Sequence, residues 1–200
     1  MNALQRKEAH MEQIITIRDA DLTYQARNGE VEALRGVTFS VAEGEFVSIV
    51  GPSGCGKSTL LGVLAGLETL DGGTAALRGS AISGPNRLVG FMPQRDQLFE
   101  WRTIRDNVML GLELRRDRDP VHRRHAEALL ARYGLAEFAD KRPDQLSGGM
   151  RQRCALIRTL ATGPDILLLD EPFSALDYQT RLAVSGDIWR IIRGEGTTAL

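Results

Sequence analysis

The run Gly51-Pro52-Ser53-Gly54-Cys55-Gly56-Lys57-Ser58-Thr59 is where residue types and spacing first point to chemistry. Its glycines let the backbone curl until successive N–H groups face one anion. The apolar run Phe46-Val47-Ser48-Ile49-Val50 ahead of it predicts a strand, and Leu60 to Ala65 behind it predicts a helix. Strand, glycine-rich turn and helix, in that order, are the setting of a phosphate-binding loop. The helix start adds its positive end to the same point. Lys57 reaches terminal phosphates as a point charge, and the Ser58 hydroxyl suits a Mg²⁺ ion. An ordinary glycine-rich turn is the bland alternative, and the flanking strand and helix count against it. The spacing predicts a chain that binds a nucleoside triphosphate.

A second glycine turn, Leu146-Ser147-Gly148-Gly149-Met150, precedes a helix predicted from about Arg151 to Ala161. Unpaired N–H groups, the Ser147 hydroxyl and the helix dipole would suit an anion there. Alone, the same residues also describe a flexible helix cap. After Gly163-Pro164 come Asp165-Ile166-Leu167-Leu168-Leu169 and then Asp170-Glu171-Pro172. An apolar run bounded by turn signals predicts a strand buried on both faces of a parallel sheet. Such sheets place ligands at the carboxyl ends of their strands. Asp170 suits the shell of Mg²⁺, and Glu171, one residue further out, can polarise a water against a γ-phosphate. Two solvated acids are the competing reading, weakened by the phosphate loop upstream. Gln94 leaves the predicted strand Leu88-Val89-Gly90-Phe91-Met92 through Pro93. It could ligate Mg²⁺ or orient a water, and by itself it is also an ordinary loop residue. Tyr24 has two open readings, a half-buried strand residue or a stacking surface for adenine.

The elements that must position these residues read as follows. Short strands are predicted at Ile14 to Ile17 and Leu22 to Tyr24. A turn at Asn28-Gly29 leads to Val31–Val41, where Val37, Phe39 and Val41 alternate. Glu43-Gly44-Glu45 turns the chain into the loop strand, so the start reads as an antiparallel layer. After a helix ending near Gly66, Asp71-Gly72-Gly73 and Ser83-Gly84-Pro85 bracket a short β excursion. From about Thr103 to Ala139 the pattern is helical. Thr103 with Asp106 opens a helix over Ile104 to Leu114. Pro120 starts another with Val121, His125, Leu129 and Tyr133 on one side, closed by Gly134. Arg123, Arg124 and Arg132 there describe a solvated face or, as the weaker alternative, a nucleic-acid contact. His122 and His125 lack the Cys or carboxylate company of a metal site. A last helix from about Tyr178 to Arg193 carries Val184, Ile188, Ile191 and Ile192 on one side, and Thr197-Thr198-Ala199-Leu200 begins a strand.

The 200 residues carry a net charge of −1. That balance argues against a nucleic-acid binder working by bulk electrostatics. Cys55 and Cys154 make no disulfide framework and fit a reducing compartment. The Cys55 thiol reads as incidental to a loop that binds through its backbone, with a redox role as the alternative. Met1 to Glu12 mix charges without an apolar core, so no signal peptide is expected. No run approaches the ~20 apolar residues that span a bilayer, so the expectation is a soluble protein whose membrane role comes through a partner.

In this order the pieces resemble the nucleotide-binding subunit of ABC transporters, over nearly the whole chain. Leu146 to Met150 looks like the family signature, with Met150 where glutamine is commoner. Gln94 matches the Q-loop, Asp170 the Walker B aspartate, Ser174-Ala175-Leu176-Asp177 the D-loop and Tyr24 the aromatic adenine platform. The resemblance implies an α/β fold: a P-loop NTPase core with a mainly parallel sheet, an antiparallel β-subdomain and a helical insertion. All would lie in one ATP-binding domain, 1–200. It would comprise a β-layer (13–50), P-loop to Q-loop (51–94), a helical subdomain (95–145) and signature to end (146–200). It implies hydrolysis of ATP with Mg²⁺. Lys57, Gln94 and Glu171 would be catalytic, and Ser58, Gln94 and Asp170 would hold the metal. Tyr24, the loop from Gly51 to Thr59, and Ser147-Gly148-Gly149 would hold the nucleotide.

The resemblance also implies partners. Two subunits, as a homodimer or a heterodimer with another ABC ATPase, would pack head to tail. Each ATP would lie between one P-loop and the other subunit's signature turn, with Asp177 passing the state of one site to the other. The helical insertion and the segment after Gln94 would contact membrane permease subunits at the cytoplasmic face of the inner membrane. A substrate-binding protein would take part indirectly, and no nucleic acid is expected. Asp96 to Val108 and the run Leu146 to Arg153 look most like bacterial importers of nitrate, sulfonate and taurine. The family's switch histidine follows a strand of which only the beginning stands here, and His10, His122 and His125 lie elsewhere. The resemblance is therefore to a subunit truncated before that histidine and the C-terminal helices, which bears on turnover more than on ATP binding. An ABC ATPase acting outside transport, or an ATP-binding fragment without turnover, are the competing readings.

Lys57→Ala removes the charge that would face the phosphates. It is expected to weaken ATP binding by about 10- to 100-fold, read by titration calorimetry; unchanged affinity would mean that this loop does not hold the phosphates.

Overall fold

In a computed structural model, residues 12–27, 29–172 and 178–200 are described, with side chains for all of these but 178–184. In chain order the elements are β1 (Gln13–Ala26), β2 (Gly29–Ala42), α1 (Lys57–Leu64), β3 (Gly72–Leu77), β4 (Ser80–Ala81), β5 (Val89–Met92), α2 (Ile104–Leu114), α3 (Pro120–Arg132), α4 (Gly148–Leu160), β6 (Ile166–Leu169), α5 (Tyr178–Glu195) and β7 (Thr198–Ala199). Short 3₁₀ turns stand at Ala136–Phe138 and Pro143–Gln145. The chain divides into two compact units, one running to Arg87 and taking in Thr198–Leu200, the other Leu88–Thr197.

The first unit is built on a hairpin. Ile14, Ile15, Ile17, Ala20 and Leu22 are buried on β1, and Leu34, Val41 and Ala42 on β2, its antiparallel partner. The sequence suggests two short strands within 14–24, and the structure has one. Register shifts after Ile17 and around Leu22 carry the pairing past Arg18 and Asp19. The Asp19 N–H donates to Thr38 Oγ1 at 2.8 Å, which satisfies the backbone at the irregularity. The strands lie in the order β2-β1-β3-β4. Helix α1 packs on β2 and β3, burying Leu60, Leu61, Val63 and Leu64.

The strand expected over 46–50 is a single bridge. Phe46 pairs in parallel with Ala199 of β7; the Val47 N–H donates to the Ala199 carbonyl at 2.8 Å and the Ala199 N–H to the Glu45 carbonyl at 2.9 Å. Beyond it no ladder is formed through residues 47–50, and Val50 is 93 % exposed.

In the second unit β5 and β6 pair in parallel, Val89 opposite Ile166 through Met92 opposite Leu169. Ile166, Leu167 and Leu168 are wholly buried, as a four-residue apolar run in a parallel sheet requires. Helix α4 is the hub, packing on α2, α3, α5 and β5 through Cys154, Ala155, Leu156 and Ile157. Thr103 caps α2 by accepting from the Asp106 N–H at 3.1 Å, and Asp119 caps α3 by accepting from the Val121 N–H at 2.8 Å.

The buried face of α3 differs from the expected one. Ala126, Leu129 and Leu130 are buried, whereas Val121 is exposed and His125 half-buried. Small Ala126 lets the stripe close on α2 and α4, and Val121 in the first turn lies outside it. Helix α4 begins at Gly148, three residues before the expected start, because Ser147 rather than Met150 is its cap. Among the described residues no helix is long and apolar enough to cross a membrane.

Gly66 closes the turn after α1 at φ +71°, and a Cβ there would lie 2.1 Å from the Gly84 carbonyl oxygen. Gly66→Ala is expected to cost roughly 2 kcal/mol or more. Urea unfolding measures it, and a parent-like midpoint would mean that the Gly84 segment moves aside without penalty.

Candidate functional site

The glycine loop of the first unit ends in a residue that cannot be anything larger. Gly56 is the N-cap of α1 at φ 92°, and a Cβ there would stand 2.2 Å from the Ala33 carbonyl oxygen of β2. Having no side chain, Gly56 offers no side-chain cap to the start of α1. Residues 51–55 are exposed, so the concave backbone is open to an anion. The Lys57 ammonium lies over the loop, donating to the Gly51 and Pro52 carbonyls at 3.0 Å each and lying 3.9 Å from Cys55 Sγ. Ser58 and Thr59 fall in the first turn of α1, with Ser58 exposed. Tyr24 sits opposite Val31 on the hairpin and is 37 % exposed, open enough to offer a ring face.

In the second unit β6 delivers its two carboxylates in different states. The Asp170 N–H donates to the Met92 carbonyl at 2.9 Å, extending the parallel ladder by one residue and leaving Asp170 only 9 % exposed. Glu171 breaks away with φ 44°, a left-handed backbone immediately before Pro172. A non-glycine residue held there stores about 1–3 kcal/mol of strain, the kind that clusters at working sites. The turn leaves Glu171 exposed, and Gln94 Nε2 donates to its Oε2 at 3.3 Å. Since the amide nitrogen of Gln94 makes this bond, its amide oxygen is the atom suited to a cation.

The turn at Ser147 is a helix cap. Ser147 Oγ accepts from the Met150 N–H at 3.3 Å, and Gly148 and Gly149 form the first turn of α4. Their N–H groups have no intrahelical partner, and Gly148 is exposed. The structure therefore joins Gln94 to Glu171 directly. The segment Ser174-Ala175-Leu176-Asp177 lies outside the described residues, as does His10.

Sequence reasoning missed what fixes the segment after Gln94. Arg151 Nε and Nη2 donate to both Asp96 oxygens at 2.9 and 3.3 Å, and Nη2 also to Glu100 at 2.8 Å. Arg158 donates to the Gln97 and Asp96 carbonyls at 2.7 Å each. Asn107, wholly buried on α2, exchanges hydrogen bonds with the Phe99 backbone, accepting from its N–H at 2.7 Å and donating to its carbonyl at 3.1 Å. Asn107 had a signal: it lies with Ile104 and Val108 on the apolar stripe of α2, where a polar residue must find partners. The arginines had none, because their partners are remote in sequence. Burial pushes the Asp96 carboxyl upward, but the Arg151 and Leu98 N–H bonds and the charges of Arg151 and Arg158 outweigh it and hold it below the usual range.

The chain matches the family model described as ABC transporter over residues 34–174. It is 40 % identical over 187 residues to the taurine import ATP-binding protein of Ruegeria pomeroyi, covering 93 % of this chain and 70 % of that protein. It is 48 % identical over 169 residues to an aliphatic sulfonates import ATP-binding protein of Agrobacterium fabrum, covering 84 % and 63 %. Among solved structures, it is similar to the ATP-binding cassette MJ0796 in a dimeric post-hydrolysis state bound to ADP and phosphate. The TM-score is 0.78 at 31 % identity, covering 92 % of this chain and 85 % of that one.

The two thiols are expected to react differently. Burial pushes the Cys154 thiol up to about 12, while Cys55 is exposed on the loop. A disulfide reagent at neutral pH should modify one thiol in the native protein and two in denaturant, and saturating ATP should slow the native reaction. Two fast native thiols would contradict the packing around α4.

Proposed function

This chain belongs to the ABC transporter family as an ATP-binding ATPase, and from that premise we propose that it powers the import of a small anion. The observation that carries the nucleotide half is the loop of Gly51 to Thr59, where the side-chain-free cap Gly56 opens the start of α1 beneath Lys57. The import half is supported by relatives whose names are taurine and sulfonates import proteins. A third, the bicarbonate transport protein of Synechococcus elongatus, is 42 % identical over 95 % of this chain and 29 % of its own length.

Each residue then has a task. The backbone N–H groups of 51–59 and Lys57 hold the triphosphate, and Tyr24 stacks on the adenine. Glu171 accepts a proton from the attacking water, a contribution worth roughly 10²- to 10⁴-fold, and Gln94 holds its carboxylate in place. For Mg²⁺, the Ser58 hydroxyl, the Gln94 amide oxygen and the Asp170 carboxylate are each the hard oxygen donor that such an ion takes. When bound it would neutralise charge building on the phosphates.

The chain works as a head-to-tail dimer, with itself or with another ABC ATPase. Ser147, Gly148 and Gly149 meet the partner's nucleotide through the N–H groups that start α4. Support comes from the dimeric cassette it resembles. The permease docks on the segment after Gln94, where Trp101 is 71 % exposed and stacks on Phe99 at 4.7 Å. On this reading the subunit works at the cytoplasmic face of the membrane, with a substrate-binding protein as an indirect partner.

Glu171→Gln is expected to retain ATP binding, slow turnover by about 10²- to 10⁴-fold and accumulate an ATP-bound dimer in light scattering. Hydrolysis at the parent rate would remove Glu171 from the base role. Ser147→Arg should abolish turnover yet leave ATP binding by the monomer intact; loss of monomer binding would show that the turn serves its own chain's nucleotide.

A further inference from the structure

We infer that Arg151 is a positioning residue for the chemistry at Glu171, latching the segment that follows Gln94 onto the helix that opens at Ser147. This rests on the roles given above to Gln94 and Glu171.

Gln94 donates to Glu171 at 3.3 Å, the long end of a hydrogen bond, and its own side chain is exposed. Little about Gln94 itself keeps it there. Two residues later the chain is held on every side. Arg151 takes both oxygens of Asp96 in a bidentate fork and reaches Glu100 as well. Arg158, seven residues along the same helix, takes the Asp96 and Gln97 carbonyls. The Leu98 N–H donates to Asp96 Oδ1 at 3.1 Å, so the carboxylate that Arg151 grips also folds its own turn.

Two guanidiniums of α4 thus fix the backbone from which Gln94 extends. They differ in what they hold. Arg158 binds carbonyls, which any residue at 96 and 97 would supply, whereas Arg151 binds the side chains of Asp96 and Glu100. A surface ion pair contributes little stability, but this pair is a bidentate fork with Asp96 only 19 % exposed, so its effect is on geometry. Arg151 lies four residues after Ser147, and the Arg151 N–H donates to the Ser147 carbonyl at 2.9 Å. The arginine nearest the signature turn is therefore the one that grips the Asp96 side chain, two residues from Gln94.

The test compares Arg151→Met, Arg151→Lys and Asp96→Asn with the parent chain, reading ATP affinity, turnover and amide hydrogen exchange. Arg151→Met is expected to keep ATP affinity within about twofold, because the loop at Lys57 uses none of these residues, and to lower kcat about tenfold. Exchange at Leu98 should quicken about tenfold or more, with β6 and the middle of α4 unchanged. Arg151→Lys should recover part of kcat, since an ammonium keeps the charge but not the fork. Asp96→Asn should resemble Arg151→Met and stands in for it if that variant misfolds. Parent-like kcat with parent-like Leu98 exchange overturns the inference. So does faster exchange across the whole chain with lost ATP affinity, which is what a merely structural arginine would give. A parent chain without turnover would sink the functional reading instead; Leu98 exchange then judges the latch alone, and a parent rate in Arg151→Met rejects it.

Discussion

A helix that is to hold an anion must begin without holding itself. The first N–H groups of any α-helix lack partners, and most sequences supply an oxygen to quieten them. Helices α2 and α3 do so with Thr103 and Asp119. Helix α1 has Gly56 in that place, where the Ala33 carbonyl and a left-handed φ exclude every residue with a side chain. The β1–β2 hairpin thereby shapes the phosphate loop by refusing it a cap. Helix α4 is intermediate, since Ser147 quietens one N–H and leaves those of Gly148 and Gly149.

The carboxylates depend on the opposite condition, a strand saturated with partners. Wholly buried Ile166, Leu167 and Leu168 fix β6, and the ladder bond from Asp170 to Met92 carries that order to the first acid. The second acid leaves the sheet at once, through a backbone angle that only surrounding structure can enforce. Adjacent residues thus occupy unlike settings, Asp170 sheltered and Glu171 open beside Gln94. The metal-ligand and base roles proposed for Asp170 and Glu171 need that difference.

The arginines complete the layout. The near-neutral net charge conceals local pairing in the helical part, where Arg102 meets Glu113, Arg132 meets Glu195, and Arg151 meets Asp96 and Glu100. Each joins a loop or helix end to another element. Such pairs near the surface contribute at most about 1 kcal/mol each, so they are better understood as setting where segments lie.

Much of this was legible in the linear chain. Local chemistry decides where a glycine turn can open a helix, where Thr103 and Pro120 can start one, and where a short apolar run must be a buried strand; these were all readable from neighbours a few residues apart. The resemblance to the family stood on the same local runs. What required the tertiary structure was every decision made by a distant partner. The run over 46–50 meets its neighbour through one bridge, Phe46 to Ala199, a partner more than 150 residues away in the chain. The buried side of α3 shifted because Ala126 fits against α2 and α4. Arg151 acquired its place only when folding brought Asp96 and Glu100 to it, across more than fifty residues of chain. Local propensity acts through bonds along the backbone, but packing and ion pairs act through space, and a sequence does not order its residues by their distance in space.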